Sequence, residues 1–408
     1  MLEELARIGR DPATDGYLRD AWSRADLELR EWFAGETARR GLDLREDRNG
    51  NLWAWWGDPS REPGVVTGSH LDSVRQGGAY DGPLGVVSAF AALDVLKSRD
   101  FLPRRPLGIA CFADEEGARF GVPCVGSRLL TGMLSPERAL ALQDDEGDTL
   151  ADVLTKSGRD PRGLGRDDET LAQVATFVEL HVEQGRGLVR LGRPVGVARA
   201  IWPHGRWRFD FHGRADHAGT TRLPDRDDPM LPFARLVLAA RDAAARRDIV
   251  ATIGKVRVSP NNANAVPGLV SAWLDARGPN EADVHALVEE LTALADTAEG
   301  EAAAGAGPGV RPGVTVEVSE ESWTPVVDFD HGLRERLAAV VGGDTPAPIL
   351  PTGAGHDAGI LAAAGVPSAM LFVRNPTGVS HSPEEHAEQA DCEAGVVALA
   401  SVLEELCR

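Results

Sequence analysis

The sequence predicts an α/β protein, with a doubly wound, mostly parallel sheet covered by helices and a smaller α+β unit inserted into it. Three observations predict this. Apolar strands alternate with amphipathic helices through the first half of the chain, the same rhythm resumes after Trp323, and between them the strands change to an alternating, one-face-exposed pattern from Trp202–Arg206 onward.

Taken in order, Leu18–Arg40 carries apolar residues at helical spacing (Leu18, Ala21, Trp22, Leu27, Leu29, Trp32, Phe33), and Gly41 stops it. A Gly50-Asn51 turn leads into the run Leu52–Trp56 and the apolar strand Gly64–Gly68. A helix over Gly85–Lys97 and strands over Leu107–Phe112 and Phe177–His181 continue the alternation. The acidic segment Gln143–Thr170, interrupted by Gly and Pro, reads as a mobile loop with short helical pieces. In the inserted unit, strands are expected over Arg206–His212, Thr252–Val258, Leu269–Arg277 and Val314–Val318. Helices are expected there over Pro229–Arg247 and Glu281–Asp296, with an Ala/Gly-rich connection over Glu299–Gly313. The chain then returns through a helix at Gly332–Val341, a Gly-rich turn at Thr352–Gly355, a strand at Ser368–Val373 and a final helix at Asp391–Cys407.

The chain has 408 residues, 43% hydrophobic and 26% charged, which is ordinary globular usage with ample material for a core. Lys and Arg total 43 against 63 Asp and Glu, a net charge of −20. Such a surface repels phosphate backbones and anionic lipid, so neither nucleic acid nor membrane is an expected partner. A small anionic substrate would need local positive charge. The four cysteines form no C-x-x-C pair, so neither a cysteine zinc site nor a disulfide framework is indicated. The start, MLEELARIGR, lacks the apolar core of a signal peptide, and no apolar run of about 18 residues occurs, so the expected location is the cytoplasm.

Five segments carry candidate chemistry. Gly68-Ser69-His70-Leu71-Asp72 follows an apolar strand, which places His70 and Asp72 at its carboxyl end, where open α/β sheets bind ligands. In Gly77-Gly78-Ala79-Tyr80-Asp81-Gly82, glycines allow close backbone approach beside one carboxylate at a helix start. Asp114-Glu115-Glu116 sits beyond a buried strand, where three adjacent carboxylates are costly unless cations neutralise them. Glu179-Leu180-His181-Val182-Glu183-Gln184 ends another strand, and Ser380-His381-Ser382-Pro383-Glu384-Glu385 forms a turn after Val373. Singly, each has an ordinary explanation as a loop, a helix cap or a solvated charge run. Together, three histidines and several carboxylates at the ends of different strands suit zinc or manganese. Two such ions about 3.5 Å apart polarise a carbonyl and activate water, which is hydrolytic chemistry.

These segments, with Ala215-Asp216-His217-Ala218-Gly219-Thr220, Asn261-Asn262-Ala263-Asn264-Ala265-Val266-Pro267 and Gly353-Ala354-Gly355-His356-Asp357-Ala358, resemble in order the metal-dependent amidohydrolases of peptidase family M20. The resemblance spans nearly the whole chain and is closest to the branch of allantoate amidohydrolases, N-carbamoyl-L-amino acid hydrolases and β-ureidopropionases. It implies a di-metal, zinc-peptidase-like catalytic domain over residues 1–205 and 323–408, with a lid or dimerisation domain over 206–322. Asp81 would bridge two divalent ions, Zn or Mn, with His70 and His181 completing one site and Glu116 and His381 the other. Glu115 would be the general base, and Asp72 would hold His70 by a hydrogen bond. Gln184 would contact the amide or carbamoyl group, His217 the reacting oxygen, and Asn264 with Arg277 the substrate carboxylate, the lid residues acting across a homodimer. Where such chains often read T-T-P-M after the lid histidine, this one reads Thr220-Thr221-Arg222-Leu223-Pro224, which adds a cation near the expected pocket. The implied activity is cleavage of a linear amide in a carboxylate-bearing ureido substrate, allantoate first, releasing ammonia and carbon dioxide. N-carbamoyl-L-amino acids, β-ureidopropionate, N-formyl amino acids and dipeptides are the alternatives, and a metal-free binding protein would lack ligands that are all present here.

Overall fold

The computed structural model describes residues 1–304 and 313–408. The chain divides into two compact units, one formed by Met1–Ile201 with Asp328–Arg408 and the other by Trp202–Val327.

The first unit is built on a mixed sheet whose centre is parallel: Leu107–Phe112, Gly64–His70, Val174–Val182 and Ser368–Val373 lie side by side in that order and all run the same way. Antiparallel strands flank this centre, Leu52–Trp56 beside Leu107–Phe112 and Val195–Ile201 beside Ser368–Val373. The parallel strands read as continuous apolar runs because both faces are covered: every residue of Gly64–His70, Leu107–Phe112 and Ser368–Val373 is buried. Leu84, Phe90 and Leu93 of the helix Pro83–Ser98 and Leu399 and Leu403 of the helix Gln389–Leu406 share one core with Val65, Ile109, Val178 and Leu371 of the sheet.

Two local expectations change. The first long helix begins at Arg24, where Ser23 accepts a hydrogen bond from the Asp26 amide, and not at Leu18. Leu18–Ser23 is held in another way. Buried Arg19 donates to the Ile8 and Leu5 carbonyls, and Trp22 takes a positive φ of 60° and packs in a small cluster with Phe120 and Leu129. Leu150, Val153 and Leu154 join that cluster, so the acidic segment Gln143–Thr170 is anchored. A capping box between Thr149 and Asp152 starts the helix Leu150–Lys156 that carries them.

The second unit is an antiparallel sheet ordered Thr315–Thr324, His204–His212, Leu269–Arg277, Val250–Ser259. The helix Met230–Arg247 contributes Leu236 and Ala240, and the helix from Glu281 contributes Leu287 and Leu291, to a core with Phe209, Phe211, Val270 and Leu274. That second helix runs to Ala304, past the expected end at Asp296, through an Ala-containing stretch that favours helix. Of the Ala/Gly-rich connection 299–313, residues 305–312 lie outside the described residues.

Candidate active site

Because the four central strands are parallel, their carboxyl ends share one edge of the sheet. His70 pairs with Phe112 and His181 with Phe372, so His70, the Asp114–Glu116 segment just past Phe112, and His181 emerge there together. Asp81 arrives from the glycine loop that precedes the helix Pro83–Ser98. Gly82 makes that approach possible. It has φ +83°, and a Cβ there would lie 2.4 Å from Cε1 of His70.

Of the three groups of potential ligand atoms among the described residues, one joins Glu179, His181 and His356; the other two are His70 with Asp81 and His181, and Asp81 with Glu116 and His381, all atoms within a group lying within 4.8 Å of one another. Asp81 is common to both. Its Oδ1 is 3.1 Å from Nε2 of His181 and 3.6 Å from Nε2 of His70, while Oδ2 is 3.6 Å from Nε2 of His381. Nε2 of His381 is also 3.4 Å from Oε2 of Glu116.

The imidazole orientations fit metal ligation. Nδ1 of His70 lies 3.1 Å from the Asp72 carbonyl and Nδ1 of His181 lies 2.9 Å from the Val182 carbonyl. A carbonyl only accepts, so both Nδ1 atoms carry hydrogen and both Nε2 atoms face the centre. Those two Nε2 atoms are buried and have no hydrogen-bond partner.

The charges point the same way. Burial pushes Glu116 up to about 8, with Asp81 adding to it, and burial holds Glu115 well above the usual carboxylate range. Burial disfavours the cationic form of His181, yet Asp81 outweighs it and lifts the group to about 9; Glu115, Asp72 and Asp81 likewise raise His70 against its burial. A field that draws protons onto Nε2 draws a divalent cation to the same lone pairs. Nitrogen and carboxylate donors in two clusters sharing one carboxylate fit a pair of zinc or manganese ions.

Around these ligands the sequence-derived residues take definite places. Glu115 is buried, with Oε2 3.6 Å from Nε2 of His70 and Oε1 accepting from the Cys124 thiol at 3.4 Å. It belongs to neither ligand group but stands beside one. The link between Asp72 and His70 runs chiefly through the Asp72 backbone carbonyl, its carboxylate lying 3.5 Å from Nδ1. The two carboxylate oxygens accept instead from the backbone amides of Glu115 and Glu116, at 3.2 and 3.0 Å. Gln184 donates from Nε2 to Oδ2 of Asp81 at 2.8 Å and to Ser380, leaving its buried Oε1 without a partner.

In the second unit, Asp216–His217 pairs with Ala265–Val266, and the Ala218 amide donates to the Asn264 carbonyl, so His217 and Asn264 are brought together. Both are exposed. Nδ1 of His217 accepts from the Gly219 and Thr220 amides at 3.0 and 3.2 Å. A neutral His217 therefore carries its proton on Nε2, as a hydrogen-bond donor. Arg277 lies at the end of its strand with Nε and Nη2 forked onto Asp275 at 2.7 and 2.9 Å. Arg222, exposed, pairs with Asp225.

Glu179, His356 and Glu385 also stand at this site, without a role apparent from the sequence. Glu179 is fully buried inside its strand and accepts from Ser69 and the Ala358 amide. The His356 ring lies 4.4 Å from that of His181 at a 60° tilt, and burial holds it well below the usual imidazole range. The signal for Glu179 was available, since a charge two residues before His181 within an apolar strand faces the same way.

Carboxylate–imidazole clusters at the ends of parallel strands suit metal-assisted hydrolysis, and the comparisons with known proteins place the chain among hydrolases acting on carbon–nitrogen bonds, as an amidohydrolase. The family model "Peptidase family M20/M25/M40" matches residues 66–405, and the chain belongs to that family. It is 35% identical to an N-carbamoyl-L-amino acid amidohydrolase of Geobacillus stearothermophilus, over 98% of this chain and 95% of that protein. It is 31% identical to an allantoate amidohydrolase of Bacillus subtilis, over 99% and 96% of the two chains. The crystal structure of AtUAH in complex with (S)-hydroxyglycine superposes with a TM-score of 0.87 at 28% identity, covering 100% of this chain and 96% of that one.

Proposed function

We propose that this protein hydrolyses a linear amide in a carboxylate-bearing ureido substrate, allantoate first, with two divalent ions held by His70, Asp81 and His181 and by Asp81, Glu116 and His381. The observation that carries the reading is the pair of ligand clusters sharing Asp81, with the buried carboxylate of Glu115 beside them.

When bound, the ions would polarise the scissile carbonyl and acidify water. Glu115 takes the water's proton and passes it to the leaving nitrogen. Oε1 of Gln184, a buried acceptor, binds an N–H of the carbamoyl or ureido group. His217 donates Nε2–H to the oxygen that gains charge, and Asn264 with Arg277 receives the carboxylate. An N-carbamoyl-L-amino acid is the second reading, favoured by the Geobacillus stearothermophilus relative.

We infer a homodimer in which His217, Asn264 and Arg277 serve the partner's site. Supporting it, Leu231 and Leu238 on the helix Met230–Arg247 are 64% and 68% exposed, and the edge strand Val250–Ser259 exposes Val250 and Val256. Sedimentation at twice the 43.4 kDa chain mass is the expected result, and a monomer at micromolar concentration refutes the dimer. Among the described residues no helix is long and apolar enough to cross a membrane. The four cysteines are unpaired, as a cytoplasmic location would keep them.

Ammonia release is to be measured from allantoate, N-carbamoyl-L-amino acids and β-ureidopropionate, and formate release from N-formylglutamate, with manganese or zinc supplied. Turnover of allantoate is expected. No ammonia from allantoate, with turnover of another compound, reassigns the substrate. Dialysis against a chelator is expected to abolish activity and readdition of Mn or Zn to restore it; activity that survives complete metal removal refutes the mechanism.

A further inference from the structure

We propose that Glu385 is a positioning residue that fastens the Asp81 loop to the His381 turn and thereby builds the Asp81–Glu116–His381 metal site, an inference that rests on the two-ion reading above. Asp81 and His381 are brought together by segments some three hundred residues apart in sequence, and neither segment is a regular element at the ligand itself. Something must hold them in register.

Glu385 does so directly. Its side chain is 4% exposed, and Oε1 accepts from two successive backbone amides, those of Tyr80 and Asp81, each at 2.9 Å. Two N–H groups converging on one carboxylate oxygen fix the peptide that carries the shared ligand. The same residue closes the turn Ser382–Glu385 that directly follows His381, since its own amide donates to the Ser382 carbonyl at 3.0 Å. Ser380 completes the link, with Oγ donating to Oδ2 of Asp81 at 3.1 Å and lying 3.4 Å from Oε2 of Glu385.

The loop sequence makes room for this residue. A Cβ on Gly78 would lie 2.4 Å from Cβ of Glu385 and 2.5 Å from its Oε1, so only glycine at 78 lets the side chain reach the Tyr80 and Asp81 amides. No other residue of the His381 turn contacts those amides among the described hydrogen bonds. In Gly-x-x-Asp and His-x-x-x-Glu the two segments thus carry matching halves of one joint.

Metal binding is read by calorimetry and by metal content per chain, with Mn²⁺ or Zn²⁺ alone as the probe. Wild type is expected to bind two ions per chain. Glu385→Ala is expected to lose one ion preferentially, with affinity at that site weakened by about 10- to 100-fold, while the His70/His181 site stays filled. Glu385→Gln, whose amide oxygen can still accept both N–H groups, is expected to keep both ions. If Glu385→Ala does not fold, Glu385→Asp, shorter by one methylene with the charge kept, is expected to give the same selective loss. Wild type binding two ions, with Glu385→Ala or Glu385→Asp binding two as tightly, overturns the inference alone. Equal weakening of both sites also overturns it, because a merely structural role would produce that. Wild type that binds fewer than two ions overturns the two-ion reading and this inference with it.

Discussion

Glu115→Gln is expected to lower kcat by about 10²- to 10⁴-fold while leaving two ions bound, the range that removal of a proton-transfer group gives. The amide is nearly the shape of the carboxyl it replaces, so packing against Cys124 and the nearby His70 changes little, but it cannot take a proton from water or return one. The selectivity of the result is what matters. Glu115 lies in neither ligand group, so loss of activity should come without loss of metal, whereas Glu116→Gln should weaken one site outright. Unchanged kcat in Glu115→Gln, with metal content intact, would remove Glu115 from the reaction and move the search for a base to another buried carboxylate. A fall in kcat accompanied by loss of an ion would make Glu115 a ligand.

The parallel centre of the sheet was legible from sequence because burial on both faces leaves uninterrupted apolar runs such as Leu107–Phe112, and polar residues just beyond such runs stand out. His70, Asp114–Glu116 and His181 could be singled out for that reason. Less legible was anything decided by a distant partner. Leu18–Ser23 has helical apolar spacing, yet buried Arg19 finds its acceptors in Leu5 and Ile8 and draws the segment out of the helix. Asp72 sits two residues from His70, which suggests a local carboxylate–imidazole pair, but its oxygens are taken by amides more than forty residues away. Glu385 looks like half of a charged pair in Pro383-Glu384-Glu385, and only the fold brings it to the Tyr80 and Asp81 amides. Arg277 suggested an open fork, and the fork was partly filled by Asp275, its neighbour two residues back on the same strand face. Spacing reveals which side chains share a face, not which of them will consume one another's hydrogen bonds.

Asp72→Ala is expected to reduce kcat by about 10- to 100-fold and to weaken the Asp81–Glu116–His381 site as well, because one carboxylate holds two functional residues by their backbones. Oδ1 accepts from the Glu115 amide and Oδ2 from the Glu116 amide, so the segment beyond the strand Leu107–Phe112 is pinned at both of its chemically active positions. Removing the carboxylate leaves two amides without their acceptor, each at a cost of about 1–3 kcal/mol if it stays buried. The segment can avoid that cost only by moving, and movement carries the base and a ligand together. Asp72→Asn separates the two halves: its single amide oxygen can still serve one N–H, while its NH₂ group faces the other donor. The asparagine variant should therefore fall between wild type and Asp72→Ala in both kcat and metal affinity. Support through His70 alone would give a different result, since the Asp72 backbone carbonyl that meets Nδ1 survives either substitution. Near-wild-type kcat in Asp72→Ala, with both ions bound normally, would show that the carbonyl suffices and that the two amide contacts are dispensable.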